Sequence, residues 1–347
     1  MNRLKRGAIF FTSTQPGETS NEFFCGTPKK SLRIASPEAR EQLQLLAGAE
    51  FTSAVVATST VVELAELGLL DSSEGKLKLT KRYDADATSG DAAFQQLRTR
   101  VAAELSQTTW IEGVTDTGIA VLSARQNFLI EISGANRIAT LLYSILLASG
   151  VAQARYSTQL STRISDLDIG LSGIAPKDIG ALRAKERESH RQDLSLFPIE
   201  KEINYLDELS TPDLIIQCGE IDPTKYAQWM ADGQPFLYIP NPMADVAEIG
   251  PLVIPGKSPC IRCSQLARPG LIDHRPFTAQ QLSTYPIIAA HYVAALAAAM
   301  AISFCDGITL QRDFSATGKV IVCDYQSLSA PQEILIALHP RCGCTFN

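Results

Sequence analysis

The spacing of apolar residues divides the chain into two regions of different pattern. Short β-prone runs, Gly7–Thr12 and Glu22–Cys25, flank the polar segment QPGETSN and predict a β-hairpin near the N-terminus. From Gln126 onward, apolar runs typical of buried strands alternate with segments of helical period: NFLIEIS, the helix ANRIATLLYSILLASG, VAQARYS, DLIIQCG, the helix PTKYAQWMADG, PFLYIP and GPLVIPG. Strands that alternate with helices predict βαβ units and a parallel sheet.

Between the hairpin and this α/β region, the pattern predicts three helices. Ser36 and Pro37 suit the N-cap and the first position of a helix over AREQLQLLAG, and SAVVATS gives the second helix. The third helix, STVVELAELGLLDSS, has an apolar stripe formed by Val61, Val62, Leu64, Leu67 and Leu70. A polar turn around Gly75 and a short strand follow. Helices followed by a hairpin indicate a winged-helix-like module over residues 1–82.

A winged-helix module can bind DNA, it can bind a peptide, or it can serve only for packing within the protein. The third helix, VVELAELG, lacks the Arg, Lys or Asn that reaches base edges, and the net charge of −6 gives no basic stripe. A peptide-binding or packing module is therefore favoured over a DNA-binding regulator. After this module, we expect a linker and helix over 83–126 and an α/β domain over 127–347.

The composition is that of a soluble protein, with 347 residues of which 45% are hydrophobic and 20% charged, enough for two domains with their own cores. The apolar run of the N-terminus stops at Phe11, so no secretory signal is predicted. The long apolar run Tyr285–Cys305 is mostly alanine and contains His291, which favours a buried core helix over a membrane span. Seven of the eight cysteines lie from Cys218 onward, a usage typical of a reducing, cytoplasmic compartment.

The segment after the strand NFLIEIS has the form of half a nucleotide-binding turn. In such turns, three small residues let the backbone meet phosphate at a helix N-terminus. Gly134 takes the first position, Asn136 the second, where glycine is normally required, and Ala139 the third. The following strand ends in RYST and lacks the acidic residue that would hold a ribose. The turn therefore leaves two interpretations, a working nucleotide site and a scaffold without a nucleotide.

Two short motifs, SPCIRC and HPRCGC, each supply a close pair of cysteines. Cys260, Cys263, Cys342 and Cys344 have the residue type and spacing of a closed, structural zinc site, and Gly343 relieves the tight CxC backbone. Free thiols, a disulfide or an iron–sulfur cluster are the alternatives, and His339 could replace one ligand. The remaining cysteines are expected to be small core residues: Cys25, Cys218, Cys305 and Cys323.

Four segments resemble the ThiF/MoeB superfamily of E1-like adenylyltransferases, in the same order along the chain. They are ILLASGVAQA, KDIGALRAKE, GPLVIPGKSPCIRC and HPRCGC, and the resemblance extends over Phe128–Asn347. It implies a Rossmann-like E1-type domain with a mostly parallel sheet and a four-cysteine zinc site. The N-terminal module makes the chain most similar to the E1-like partner proteins of ribosomal-peptide modification clusters of the cyclodehydratase type. In that family, such a module binds a leader peptide as an added strand, and the resemblance also implies a homodimer.

An active member of this superfamily adenylates a C-terminal carboxylate with ATP and magnesium. By this resemblance, Arg183 stands where the family has lysine, Asp222 is the nearest candidate for the metal carboxylate, and Arg163 loosely matches the family's Asn-Leu-x-Arg-Gln segment. Gly134 and Asn136 would contact the nucleotide. Because this pattern is incomplete, we expect a scaffold that binds a precursor peptide, a leader peptide or a partner enzyme. The alternative is an active ATP-dependent adenylyltransferase.

Overall fold

The computed structural model describes fourteen segments of the chain. They are residues 2–13, 22–34, 37–47, 58–73, 75, 77, 92–134, 136–157, 162–197, 210–242, 245–268, 290–313, 317–326 and 330–344. They fall into two compact units, Met1–Ser123 and Ala124–Asn347. The finer division into 1–82, 83–126 and 127–347 stays a prediction, because compactness does not show which segment folds by itself.

The N-terminal unit begins with strands and continues with helices. Its elements are β1 (Arg3–Leu4), β2 (Ile9–Ser13), β3 (Glu22–Gly26), β4 (Ser31–Ile34), α1 (Pro37–Leu46), α2 (Thr58–Glu66), β5 (Leu70–Asp71), α3 (Ala92–Thr108) and the start of α4 (Ile119–Arg125). The predicted hairpin is present, since β2 and β3 pair antiparallel with Phe11 opposite Phe24. A third strand, β4, pairs with the other edge of β3. This small sheet and its two following helices enclose a core that includes Leu43 and Leu64.

The helix α2 ends earlier than its apolar pattern predicted. Gly68 adopts a left-handed φ of 70°, and the amides of Gly68 and Leu69 donate to the carbonyls of Ala65 and Leu64. These two bonds close the helix as a Schellman motif. Leu70 therefore lies in β5, opposite Leu4, and not on the helical stripe where the pattern placed it. Most of the predicted helix SAVVATS and of the strand after Gly75 lies outside the described residues, so the winged-helix assignment stays a prediction.

The C-terminal unit is an α/β structure. Its elements are β6 (Leu129–Ser133), α5 (Arg137–Ala148), β7 (Gln153–Tyr156), α6 (Arg183–Ser189), α7 (Arg191–Leu194), β8 (Leu214–Cys218), α8 (Pro223–Ala231), β9 (Phe236–Ile239), β10 (Val246–Ile249), β11 (Leu252–Val253), α9 (Ile261–Ala267), α10 (Ala290–Thr309), β12 (Lys319–Asp324) and β13 (Gln332–Leu335). Three 3-10 turns lie between β7 and α6: Asp166–Asp168, Leu171–Gly173 and Pro176–Asp178.

The central sheet has the order β11-β9-β8-β6-β7. Its pairs β6–β7, β6–β8 and β8–β9 are parallel, and only β11 is antiparallel, so the predicted mostly parallel sheet is confirmed. From β6 the chain crosses through α5 to β7 on one side, and later returns to β8 on the other side. This reversal leaves a crevice at the carboxyl ends of β6 and β8, which is the usual ligand position in open α/β sheets.

The apolar run that begins at Tyr285 forms α10 from Ala290, and residues 285–289 lie outside the described part. By length and composition, His291–Thr309 could cross a membrane, a test that core helices of soluble proteins also pass. In this fold, α10 packs against α5, and residues such as Val293 and Phe304 are buried in the core of the C-terminal unit. The sequence did not predict the second sheet of this unit, antiparallel β10-β12-β13.

Candidate metal centre and nucleotide-binding turn

The first cysteine pair lies where a loop enters α9. The amide of Ile254 donates to Ser258 Oγ at 2.7 Å, which closes the PGKS turn before the pair. Cys260 is the N-cap residue of α9, and Cys263 lies in the first turn of that helix. Because residues three apart lie on the same side of a helix, both sulfur atoms point to one side. Both side chains are buried, with exposed fractions of 1% and 0%.

The second pair lies in a turn near the C-terminus. The amide of Cys342 donates to the carbonyl of His339 at 2.9 Å, which folds HPRC back on itself. Gly343 has a φ of 76°, a left-handed conformation that a side chain at this position would strain. The glycine between the cysteines thus lets Cys342 and Cys344 approach the same point.

The four predicted ligands converge on one site, with all sulfur atoms within 4.8 Å of one another. The sulfur of Cys260 lies 3.9 Å from that of Cys263 and 3.3 Å from that of Cys342, and the Cys263–Cys344 distance is 3.5 Å. Four thiolates on tetrahedral zinc, each at about 2.3 Å, would be about 3.8 Å apart. The observed distances are close to this value and well above the ~2.05 Å of a disulfide. This geometry fits a single metal ion bound by four thiolates.

Three thiols of the site differ in how readily they ionise. Burial opposes ionisation of Cys260, but hydrogen bonds from the Tyr226 hydroxyl, the Cys263 amide and the neighbouring thiols outweigh it, so the pKa of Cys260 lies below its ordinary value. Burial and the thiols around it raise the pKa of Cys342, and the same causes raise the pKa of Cys344 to about 11. A metal ion that binds all four thiolates must therefore displace protons at neutral pH.

Residues around the four cysteines also make hydrogen bonds to their sulfur atoms. The ring of Tyr226 packs edge-on against Phe236, with centroids 5.9 Å apart, and its hydroxyl is hydrogen-bonded to the Cys260 sulfur. The backbone amide of His339 donates to the sulfur of Cys263 at 3.4 Å. The imidazole of His339 accepts a hydrogen bond from the amide of Arg341 through Nδ1. His339 thus supports the site through its backbone, and four sulfur ligands are available without its ring.

The remaining four cysteines are buried apart from this site: Cys25, Cys218, Cys305 and Cys323. Burial raises the pKa of each of them, to about 11 for Cys25 and about 12 for Cys218. A thiol with so high a pKa carries almost no thiolate at neutral pH and is a poor nucleophile.

The predicted nucleotide turn lies at the crevice between β6 and β8. Gly134 follows β6 directly and has a φ of 118°. A Cβ atom at this position would lie 1.9 Å from the carbonyl oxygen of Cys218, at the end of β8. The glycine is therefore required for the close approach of two neighbouring strand ends, whether or not a nucleotide binds here.

Asn136 is the N-cap residue of α5. Its side-chain Oδ1 accepts a hydrogen bond from the amide of Ala139 at 3.0 Å. This amide is one of the free N–H groups at a helix N-terminus that a phosphate would otherwise contact. The other side-chain atom, Asn136 Nδ2, is buried without a hydrogen-bond partner among the described residues.

Arg183 lies in the interior beside the first turn of α5. Its guanidinium makes two parallel hydrogen bonds with Asp168, both of 2.8 Å, and donates to the hydroxyl of Thr140 at 2.7 Å. Two nearby arginines also contact backbone carbonyls: Arg137 donates to Leu167, and Arg163 donates to Gly180 at 2.6 Å. Arg183 thus has a carboxylate partner that its sequence context did not predict.

Two acidic residues, Glu220 and Asp222, follow β8. Asp222 is the N-cap of α8, and its Oδ1 accepts from the amide of Thr224 at 2.8 Å. Glu220 lies two residues closer to the end of β8 and is exposed. As the first acidic residue after this strand, Glu220 could have been selected from sequence in preference to Asp222. On the other side of β6, Arg155 of β7 pairs with Glu131 at 3.0 Å, and the strand ends at Tyr156.

Comparison with known proteins gives the fold. The chain matches no model of a protein family and no curated protein sequence. Its structure superposes on that of E. coli MccB in complex with MccA-N7isoASN, with a TM-score of 0.64 and 14% identity, over 100% of this chain and 99% of that chain. This chain has the ThiF/MoeB-like, E1-like fold. E. coli MccB with ATP gives a TM-score of 0.63 at 14% identity, over 100% of this chain and 99% of that one.

A second structure similar to this chain is that of PaaA, with a TM-score of 0.63 and 13% identity, over 96% of this chain and 99% of that chain. These similarities cover nearly the whole length of each protein, so they include the part before the predicted E1-like domain. At this turn, Arg183 is paired with Asp168, and the side chain of Asn136 accepts a hydrogen bond from the amide of Ala139.

Proposed function

We propose that this protein is an E1-like scaffold of a peptide-modification pathway, which binds a precursor or leader peptide, or a partner enzyme, without using ATP. The fold supports this proposal, because the similar structures are of MccB with its MccA peptide, including an N-formylated MccA. The single observation that favours a scaffold over an enzyme is the internal pairing of Arg183 with Asp168 at the candidate nucleotide turn.

The N-terminal sheet offers two edges at which a peptide could add as a strand. Thr27 and Lys30 exchange backbone hydrogen bonds at the β3–β4 turn, and the antiparallel register then directs the amides of Leu32 and Ile34 toward β3. The amide of Arg33 therefore points outward from the β4 edge. By the same register, the amide of Thr12 points outward from the β2 edge. Unpaired main-chain groups of this kind are the basis of peptide binding by strand addition.

The peptide proposal is tested with the full-length protein and fluorescently labelled precursor peptides encoded by the neighbouring genes. Binding should be measurable by anisotropy without ATP. Arg33→Pro removes an outward amide at one edge, Thr12→Pro removes one at the other, and neither takes a bond from the sheet. We expect one of the two variants to lose at least tenfold in affinity, while the other serves as its control. Equal binding by both variants and wild type would rule out strand addition.

We further propose that the four-cysteine site holds structural zinc, since the sulfur geometry and the full set of thiol ligands suit that ion. Zinc would hold the turn at Cys342–Cys344 against α9 and would supply no open coordination position for chemistry. Free thiols and thiolate–metal ligation both suit a reducing, cytoplasmic compartment. Elemental analysis of the purified protein should give one zinc per chain. A second measurement, iron content and visible absorption, separates zinc from an iron–sulfur cluster.

An active adenylyltransferase is the second candidate, and one observation favours it. Asn136 Nδ2 and Arg183 Nε are buried N–H donors without partners among the described residues, and both lie at the start of α5, where an anion could accept from them. E. coli MccB has been crystallised with ATP, and Glu220 supplies an exposed carboxylate at the crevice. Pyrophosphate exchange into ATP, dependent on a precursor peptide with a free C-terminal carboxylate, would support this enzyme and exclude the scaffold.

A further inference from the structure

The 3-10 turn Asp166–Asp168 lies over the first turn of α5. Arg137, the first residue of α5, donates to the carbonyl of Leu167 in this turn. Arg183 links the carboxylate of Asp168 to the hydroxyl of Thr140, one turn into α5. Two cations near the helix N-terminus therefore donate to groups of one short loop. In open α/β sheets, this position is the one that phosphate groups take.

Asp168 is a fully buried anion. Its side chain and that of Arg183 have exposed fractions of only 2% and 7%. Burial opposes ionisation of Asp168, but hydrogen bonds from Arg183, from the amide of Ser165 and from its hydroxyl outweigh burial and lower the pKa of the carboxyl below its ordinary value. The pair is therefore a carboxylate and a guanidinium with no net charge. Arg183 keeps one buried N–H group, Nε, without a partner among the described residues.

We propose that Asp168 is a specificity-determining residue whose carboxylate occupies the place of a phosphate group and excludes polyphosphate ligands from the N-terminus of α5. The inference rests on the proposed scaffold function and names the group that closes the site. A bidentate carboxylate satisfies the same guanidinium fork that a phosphate would bind. With Asp168 in place, an incoming pyrophosphate would have to displace an anion that is already desolvated and bonded. Without it, Arg183 would present an unpaired positive charge beside the free amides of the helix.

The test measures binding of inorganic pyrophosphate and of ATP to the full-length protein by thermal shift and by titration calorimetry. Asp168→Asn keeps the side-chain size and leaves the charge of Arg183 uncompensated. We expect this variant to bind pyrophosphate at least tenfold more tightly than wild type, with a Tm that rises as pyrophosphate is added. Asp166→Asn removes a neighbouring exposed carboxylate and is the matched control, with no expected gain. Asp168→Asn combined with Arg183→Gln removes both charges and should lose the gain.

Loss of the buried pair can unfold the single variant. In that case, the proposal requires millimolar pyrophosphate to restore the folded fraction of Asp168→Asn, measured by circular dichroism, and to leave the double variant unchanged. A folded Asp168→Asn protein without a gain in affinity, or an unfolded one without rescue, overturns the inference and leaves the scaffold proposal intact. Wild-type protein that binds ATP as tightly as the variant overturns both.

Discussion

The cysteine site and the start of α5 belong to the same unit, yet their polar groups are arranged in opposite ways. At the cysteine site, four thiols point to one common position, and burial together with the neighbouring thiols raises the pKa values of Cys342 and Cys344. At the start of α5, the charged groups point at one another, and Arg183 and Asp168 leave no net charge. The four sulfur atoms thus surround one position that a metal ion can occupy, whereas the carboxylate and the guanidinium at α5 satisfy each other.

The largest expected effect comes from a substitution that removes one of the four sulfur atoms at the cysteine site. Cys342→Ser should reduce the zinc content from one ion per chain to none, because three thiolates and a hydroxyl bind zinc far less tightly than four thiolates. The unfolding free energy should fall by more than about 4 kcal/mol, as is typical when a structural metal is lost. Elemental analysis and chemical denaturation measure the two effects. Cys323→Ala, a buried cysteine of β12 outside the site, is the control and should keep its zinc.

The next largest effect concerns the crevice itself. Gly134→Ala places a Cβ 1.9 Å from the carbonyl oxygen of Cys218 and demands a left-handed conformation of a non-glycine residue. We expect a loss of at least ~3 kcal/mol in unfolding free energy, because two strand ends must separate to relieve the contact. Gly180→Ala is the matched control, since its φ is also positive but no atom lies within 4 Å of its added Cβ. Equal stability of the two variants would show that the strand ends can move apart freely.

Tyr226→Phe should have a smaller effect, confined to the cysteine site. The hydroxyl of Tyr226 is hydrogen-bonded to the Cys260 sulfur and favours its thiolate. Loss of such an outer partner typically lowers metal affinity about 10- to 100-fold. Competition with a chromophoric chelator measures the zinc affinity. Tyr325→Phe is the control, because the Tyr325 hydroxyl is buried without a partner among the described residues and its removal should leave zinc binding unchanged.

The two sites also differ in how far sequence could predict them. CxxC and CxC carry their own spacing information, so the four cysteines were correctly predicted to meet, although 78 residues lie between Cys263 and Cys342. The positions of Gly134 and Asn136 after β6 and the parallel sheet could also be predicted from the sequence, because the βαβ pattern is local. The partner of Arg183 could not be predicted from the sequence, since nothing in the spacing of Asp168 and Arg183 indicates that they are in contact. Their pairing depends on how three 3-10 turns fold between β7 and α6.

The second sheet was missed for a similar reason. Its strands are short, and the first, β10 at Val246–Ile249, is far in sequence from its partner β12 at Lys319–Asp324. Neither strand can be identified as part of a sheet until the other is placed beside it. The end of α2 at Gly68 was, in contrast, a local signal, because glycine after a helical run commonly stops a helix. The apolar stripe over Leu67 and Leu70 masked that signal.

The smallest predicted effect tests which of two groups, Asn136 or Asp168, would keep ATP from the turn at α5. Asn136→Gly restores the glycine that a nucleotide turn requires and removes the cap on the amide of Ala139. Glycine is tolerated at an N-cap, so the unfolding free energy should fall by only about 0.5 kcal/mol. If Asp168 is the closing group, this variant still fails to bind ATP in calorimetry, because Arg183 remains neutralised. ATP binding by Asn136→Gly alone would show instead that the Asn136 side chain is the obstacle to ATP. The pairing of Arg183 with Asp168 would then not account for the difference between the two sites.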